Sequence, residues 1–378
     1  MAKKIRNHNI VILLILFTIL FTFCFQQFCV KDYARYRTEN LHYDRGIVVE
    51  VSSETIEYDK DLAIYLGSQD LQIKMLEGSK KNEIIEVTNY LTKTHNVHAN
   101  VHTKLIINVD QPENLEPYYT VYNFDRSFAL LCSIVVLAAA ILCIGGGKGA
   151  KAIAGLVYSL FLIVYLLLPA VFSGYSPIFM SILCAVLSTA VTLLLLNGQS
   201  KKTCAAIAAT TIGVCCSLLL YLIVSQLLHI NGFSTEEAES LILIQQSTGL
   251  KIKDVLFAGV LISSLGAIMD VGMSIVSALF EVVRHNPNLT RKEIFQSGME
   301  IGKDMIGTMT NTLILAFTGS AFVTLLVFVS YQVQFQQLLN SNYLSMEIAQ
   351  GICGTFGIVL TVPAASFISA AFLYKKST

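Results

Sequence analysis

The amino-acid sequence predicts a polytopic α-helical membrane protein with about eight transmembrane helices and a small extracytoplasmic β-rich domain, OB-like, between helices 1 and 2. Three observations predict it. Of 378 residues, 54% are hydrophobic and only 14% are charged, which is too apolar for an ordinary soluble domain. Uncharged runs close to the roughly 20 residues that cross a bilayer recur along the chain. Basic residues collect in alternate connections between those runs, as the positive-inside rule requires of a membrane protein.

The first run follows Lys3, Lys4 and Arg6 and extends from Ile10 to about Val30. Phe23-Cys24-Phe25 supplies no small residues for cleavage, so residues 1–30 read as an uncleaved signal anchor. Seven further runs lie in residues 127–378, at about 128–144, 152–172, 178–196, 204–228, 255–283, 305–331 and 348–374. With the N-terminus cytoplasmic, the inner segments carry Lys148, Lys151, Lys201, Lys202, Arg284, Arg291, Lys292, Lys303, Lys375 and Lys376. The short outer loops carry only Lys251 and Lys253. Both termini are therefore expected in the cytoplasm, and residues 31–126 outside it.

Residues 31–126 read as strands. Gly46–Val51, Asp70–Met75, Glu83–Val87 and Thr103–Val109 are short, rich in β-branched residues and partly alternating. Glu77–Asn82 separates two of them as a hairpin loop, and the set suggests a small OB-like barrel. The region holds 11 Lys/Arg against 16 Asp/Glu. That acidity excludes a basic nucleic-acid face. None of the nine cysteines falls in it, so a disulfide framework is excluded as well, and the cysteines of the apolar runs read as small packing side chains. Two shorter helices are expected. Thr290-Arg-Lys-Glu293 and Ser234-Thr-Glu-Glu237 both have capping-box spacing.

One span carries a carboxylate, Asp270. Burying that charge in a bilayer costs a few kcal/mol, or about 10 on the higher estimates, and such residues often mark an ion or substrate path. Ser263, Ala267, Asp270, Ser274, Ser277 and Glu281 recur at helical spacing and line one face. The next long helix places Glu300, Asp304, Thr308 and Thr312 four residues apart, with Asn311 beside them. Lys303 is available to balance charge. Two such stripes either satisfy each other or line a shared wet cavity. Gly266 and Gly272 bracket Asp270, and Gly298, Gly302 and Gly307 surround Asp304. They suit either close helix packing or broken helices whose freed backbone groups bind an ion.

Other motifs carry less. His95, His98 and His102 cluster in the outer region, but no cysteine and no fixed carboxylate completes a metal site. Gly145-Gly-Gly-Lys-Gly-Ala-Lys151 lacks the Gly-Lys-Ser/Thr ending of a phosphate loop and reads as a tight inner connection. No hydrolase or zinc-protease motif occurs, so no enzyme activity and no cofactor are expected.

The segments Leu265–Ser277 and Ser297–Phe317, with Glu77–Val87 of the outer region, resemble the YibE/YibF-like family of bacterial multi-pass membrane proteins. The resemblance runs over most of the chain from about Gly46. The outer domain is similar to that of the longer, YibE-type members. Shorter members lack it, which implies pairing with a shorter homologue as an alternative to a homo-oligomer. The resemblance supplies no substrate and no catalytic residues. Two functions therefore stand open. One is a transporter or permease using Asp270, Ser263, Ser274 and Ser277 together with Asp304, Thr308, Asn311 and Thr312. The other is a membrane scaffold or regulator whose outer barrel binds a partner while the polar stripes act as helix glue.

Overall fold

The computed structural model describes residues 2–30, 40–112, 115–230 and 238–374. The chain divides into two compact units, residues 32–140 and residues 1–31 with 141–378.

The first unit is a curled five-stranded antiparallel sheet, a half-barrel. Its strands are β1 (Leu41–Asp59), β2 (Ile64–Met75), β3 (Ile84–Leu91), β4 (Lys104–Asp110) and β5 (Tyr118–Phe124), in the order β3-β2-β1-β4-β5. The long β1 serves both neighbours, and Gly46 pairs with Met75 on one side and with Leu105 on the other. Register shifts between Val48 and Glu50 and between Val51 and Ser53 bend it. The bend brings the outer strands β3 and β5 into contact. Strict alternation along β3 buries Ile85, Val87 and Leu91, and the first two pack with Val48, Leu71, Ile73, Leu105 and Ile107 into one apolar core.

Two buried amides fasten the irregular segment 92–103 to this sheet. Gln69 accepts from the Ala99 N–H (3.0 Å) and donates to the Ala99 carbonyl (3.0 Å), while Asn89 donates to the Val97 carbonyl (2.7 Å) and to Gln69 (3.2 Å). Each satisfies backbone groups that a ladder would otherwise serve. The hairpin loop 77–82 lies between β2 and β3 as expected. The expected strands were too few and too short. The second half of β1 is largely polar and exposed, and β5 is half-buried with no clear alternation.

The second unit is helical. It contains α1 (Ala2–Cys29), most of α2 (Ser127–Leu162), a π-helical turn (Ile163–Leu167), α3 (Leu168–Phe172), α4 (Pro177–Asn197), α5 (Lys201–Leu227) and α6 (Ala238–Thr248). A 3-10 turn (Ile252–Asp254) leads into α7 (Val255–His285), followed by α8 (Arg291–Ser320), α9 (Phe322–Ser330), α10 (Phe335–Leu339) and α11 (Asn342–Leu373). Six described helices are long and apolar enough to cross a membrane, or seven if the bent pair α8–α9 is one span. The expected inner loop at 145–151 is instead helical on both sides of one break. Gly146 adopts φ 50° and ψ −133°, a conformation that glycine alone takes without strain. The longest apolar segment, Ser127–Phe172, is divided there.

Around α11 the packing is closest. It contacts α5, α7 and α8, and its buried face carries Cys353, Gly354, Gly357, Thr361, Ala365, Ser366 and Ser369. Small residues on the facing helices let the backbones approach. A Cβ on Gly213 of α5 would overlap the Thr361 hydroxyl. One on Gly302 of α8 would overlap Val362, and one on Gly298 would overlap Ser366. Ser217 of α5 donates to the Cys353 carbonyl (2.9 Å). A second layer joins α1 and α4 to the end of α2. Tyr158 donates to Thr18 (3.0 Å), Gln26 donates to the Tyr165 carbonyl (2.8 Å), and Ser159 and Ser188 share a 2.6 Å hydrogen bond.

Two helix expectations change here. Thr290 forms the expected capping box, its hydroxyl accepting from the Glu293 N–H (3.3 Å) and its N–H donating to the Glu293 carboxylate (2.7 Å). The helix it starts is not a separate short segment, because nothing breaks it before Ser320. The capping signature at Ser234–Glu237 lies outside the described residues, as do Lys375 and Lys376 of the inner-charge pattern.

Candidate functional site

The polar stripe of α7 is a single helix face, and that face points outward. Gly259, Ser263, Gly266, Asp270 and Ser274 are exposed and Ala267 and Ser277 half-buried, whereas Val260, Leu261, Ser264, Ile268, Val271, Ile275 and Leu279 form the buried side. Glu281, near the C-terminal end of α7, pairs with Arg284 (3.3 Å). On α8, Glu300, Lys303, Asp304, Gly307, Thr308, Asn311 and Thr312 are likewise exposed, while Ile294, Gly298, Gly302 and Leu313 pack inward.

The two helices run antiparallel and lie against each other. Leu279 approaches Gly298, while Ser264 and Leu313 both approach Gly354 of α11. This register sets Asp270 and Asp304 about one helical turn, roughly 5 Å, apart in height. On α7 most of the buried side chains are large and aliphatic, while the small polar ones lie outside.

Glycines separate into two kinds. Gly272, Gly298 and Gly302 are packing positions with neighbours close to where a Cβ would stand. Gly266 and Gly307 face open space. Neither α7 nor α8 is broken at Asp270 or Asp304, because both run as continuous helices past those residues. The broken-helix expectation is corrected accordingly. A bend of 59° falls instead between α8 and α9, at Ala321. Lys303 does not reach Asp270. It pairs with Glu300 on its own helix (2.6 Å), the neighbour that i,i+3 spacing provides. Thr308 and Thr312 return their hydroxyls to carbonyls of the preceding turn, Met305 (3.2 Å) and Thr308 (2.9 Å).

Neither of the two large grooves beside these helices is lined by Asp270 or Asp304. A groove of about 420 Å³ runs alongside α7, between it, α4 and the end of α2, and takes in Gly266 and Met269 with Ser159, Ser188 and Thr192. A second cleft, about 450 Å³, lies between the α8–α9 elbow and α11. It is lined in part by an acidic residue that the sequence pattern left outside the spans, the half-buried Glu347. The apolar run 348–374 placed Glu347 just outside its span, but α11 begins at Asn342 and carries it in the second turn. The spacing Glu347, Gly351, Thr355 was the available signal.

The histidines are used locally. His98 stacks on Tyr65 (4.2 Å between ring centres), with Glu54 3.7 Å from its Nε2. His102 holds φ 70° in the turn before β4. Among the described residues, no three His, Cys, Asp or Glu side chains come together as a metal site. Of the cysteines, Cys184 and Cys353 are buried packing residues, whereas Cys24, Cys29, Cys132, Cys143, Cys204 and Cys215 are exposed.

Fold and site together define a bundle of apolar, bilayer-length helices carrying a small β half-barrel, with an outward polar face on two consecutive helices. The chain belongs to the YibE/F-like protein family, whose model matches residues 133–376. The match leaves the β half-barrel outside it, so the resemblance noted for Glu77–Val87 is not part of it. No curated protein and no solved structure is significantly similar to the chain.

Proposed function

We propose that the protein is an integral membrane transporter or permease whose polar site is the joined face of α7 and α8. In this reading residues 31–126, an OB-like barrel, are extracytoplasmic and both termini are cytoplasmic. The helices make eight crossings, counting Ser127–Phe172 as two divided at Gly146 and α8–α9 as one. Asp270 binds the coupling ion or cargo, and Asp304, Thr308, Asn311 and Thr312 extend the path. No bound cofactor is needed.

The observation that carries the reading is the outward direction of the polar stripe. Against lipid, Asp270 alone would cost a few kcal/mol or more, while its neighbours Ser263, Gly266 and Ser274 offer no apolar surface in return. Such a face is stable only against water or another protein surface. The site is therefore completed by a second chain, either a copy of this one or a shorter homologue, with a wet path between the two α7–α8 faces.

The test is proton flux in vesicles that hold the purified full chain and an entrapped pH dye. An imposed potential should drive flux in the wild type, and Asp270→Asn should abolish it with assembly unchanged. Vesicles with wild-type protein that are no more permeable to protons or alkali cations than protein-free ones would leave the scaffold reading.

A further inference from the structure

We propose that the cleft between the α8–α9 elbow and α11 is a binding site for a lipophilic organic cation, with Glu347 as its counter-ion. The site is separate from the α7–α8 polar face and does not depend on the function assigned there.

The cleft exists because a span is broken. The chain turns by 59° at Ala321, so α9 swings away and buries none of its residues. The wedge left against α11 is about 450 Å³, within the range of about 300–1,000 Å³ that small-molecule sites occupy. Its walls are almost wholly apolar, among them Phe317, Leu325 and Phe356. Gly351 forms the floor, where an added Cβ would meet only the Phe317 ring, at 3.9 Å.

Glu347 and Thr355 both line this space, and each has a polar atom without a hydrogen-bond partner, Glu347 Oε2 and Thr355 Oγ1, covered by the protein around the cleft. They stand on one face of α11, four residues either side of Gly351. Thr318, the other lining hydroxyl, already donates to the Ile314 carbonyl (2.9 Å). Among the described residues, no Lys, Arg or His lines the cleft.

Charge therefore selects the occupant. A carboxylate in an apolar cleft is costly unless a cation pairs with it. Here the protein supplies the carboxylate and the apolar walls, and the ligand must supply the positive charge. An anion would be repelled. A neutral apolar molecule would leave Glu347 unpaired. Aromatic walls add attraction for a cation lying against Phe317 or Phe356.

The experiment measures saturable binding of radiolabelled tetraphenylphosphonium to the purified full chain in a non-ionic detergent. Tetraphenylborate, of the same shape and opposite charge, is the competitor. One site per chain is expected, with little competition from the borate and affinity lowered at least tenfold by Glu347→Gln. Gly351→Leu, which fills the floor, should abolish binding while the protein elutes as the wild type does. Absence of saturable binding overturns the proposal, as does equal affinity for both ions or an unchanged affinity in Glu347→Gln. The comparison of the two ions needs no variant, so it decides the matter even if Glu347→Gln fails to fold.

Discussion

At the scale of single residues, the two kinds of glycine make opposite predictions from the same substitution. Gly302→Ala forces a methyl group into Val362 across the α8–α11 contact, and such overpacking costs about 1–3 kcal/mol. Gly266→Ala places its methyl group in open space and removes a residue that weakens a helix by about 0.5–1 kcal/mol relative to alanine. Thermal unfolding in detergent should show a lower midpoint for the first and an equal or higher one for the second. Asp70 gives a pH-dependent case outside the spans. Hydrogen bonds from Ser53 (2.5 Å) and Thr88 (2.8 Å) hold its carboxyl below the usual aspartate range. The folded form therefore prefers the ionised group, so the contribution is complete above the unfolded pKa and is lost as pH falls through the lower folded one. Removing both donors with Ser53→Ala and Thr88→Ala should raise the pH at which the half-barrel begins to unfold in acid, followed by tyrosine fluorescence. An unchanged acid transition would mean that the two hydroxyls do not hold the charge.

At the scale of elements, the half-barrel depends on buried polar groups as well as on its apolar core. Gln69 and Asn89 are essentially fully buried, and Gln69→Leu leaves both the N–H and the carbonyl of Ala99 without their partner. Each orphaned group costs about 1–3 kcal/mol, so the variant should lose several kcal/mol in denaturant unfolding. Val87→Ile on the same strand pair should change stability far less. This network also shows why the outer region was only partly legible in sequence. Strands with one apolar face, such as β3 and β4, announce themselves by alternation. The polar half of β1, through Glu54 and Glu57, and the tyrosine-rich β5 owe their strand state to their neighbours. The helices were more legible, because an apolar run of bilayer length needs no tertiary context. What escaped were their ends and joints. The break at Gly146, the bend at Ala321 and the extra turn that takes in Glu347 all follow from local backbone geometry within otherwise uniform apolar sequence. The polar face of α7 could be read as a face from its spacing alone. Its direction could not, since a period of 3.6 is the same whether a stripe points toward the core or away from it.

At the scale of the whole molecule, that direction argues for assembly. The helical bundle buries its large aliphatic residues around α11 and leaves Gly259, Ser263, Gly266, Asp270 and Ser274 outside. In a bilayer, close association depends on small residues that let backbones approach and on polar groups that pair across the contact, and this face offers both. The open space at Gly259 and Gly266 is the form a surface takes before a second helix is seated on it. If it is an interface, changes there should alter assembly without altering the folding of a chain that makes no internal use of the face. Ser263→Leu combined with Gly266→Leu adds bulk on the exposed face of α7. The wild type should run as a dimer or larger assembly in light scattering coupled to size exclusion, and the double variant as a monomer with an unchanged unfolding midpoint. Gly302→Leu is the converse control, lowering the midpoint through the α8–α11 contact. A wild type that is monomeric at every protein-to-detergent ratio, and in nanodiscs, would mean that no second copy covers Asp270. The shorter homologue would then be the partner to co-purify, because an uncovered carboxylate on that face costs more than any single contact in the bundle returns.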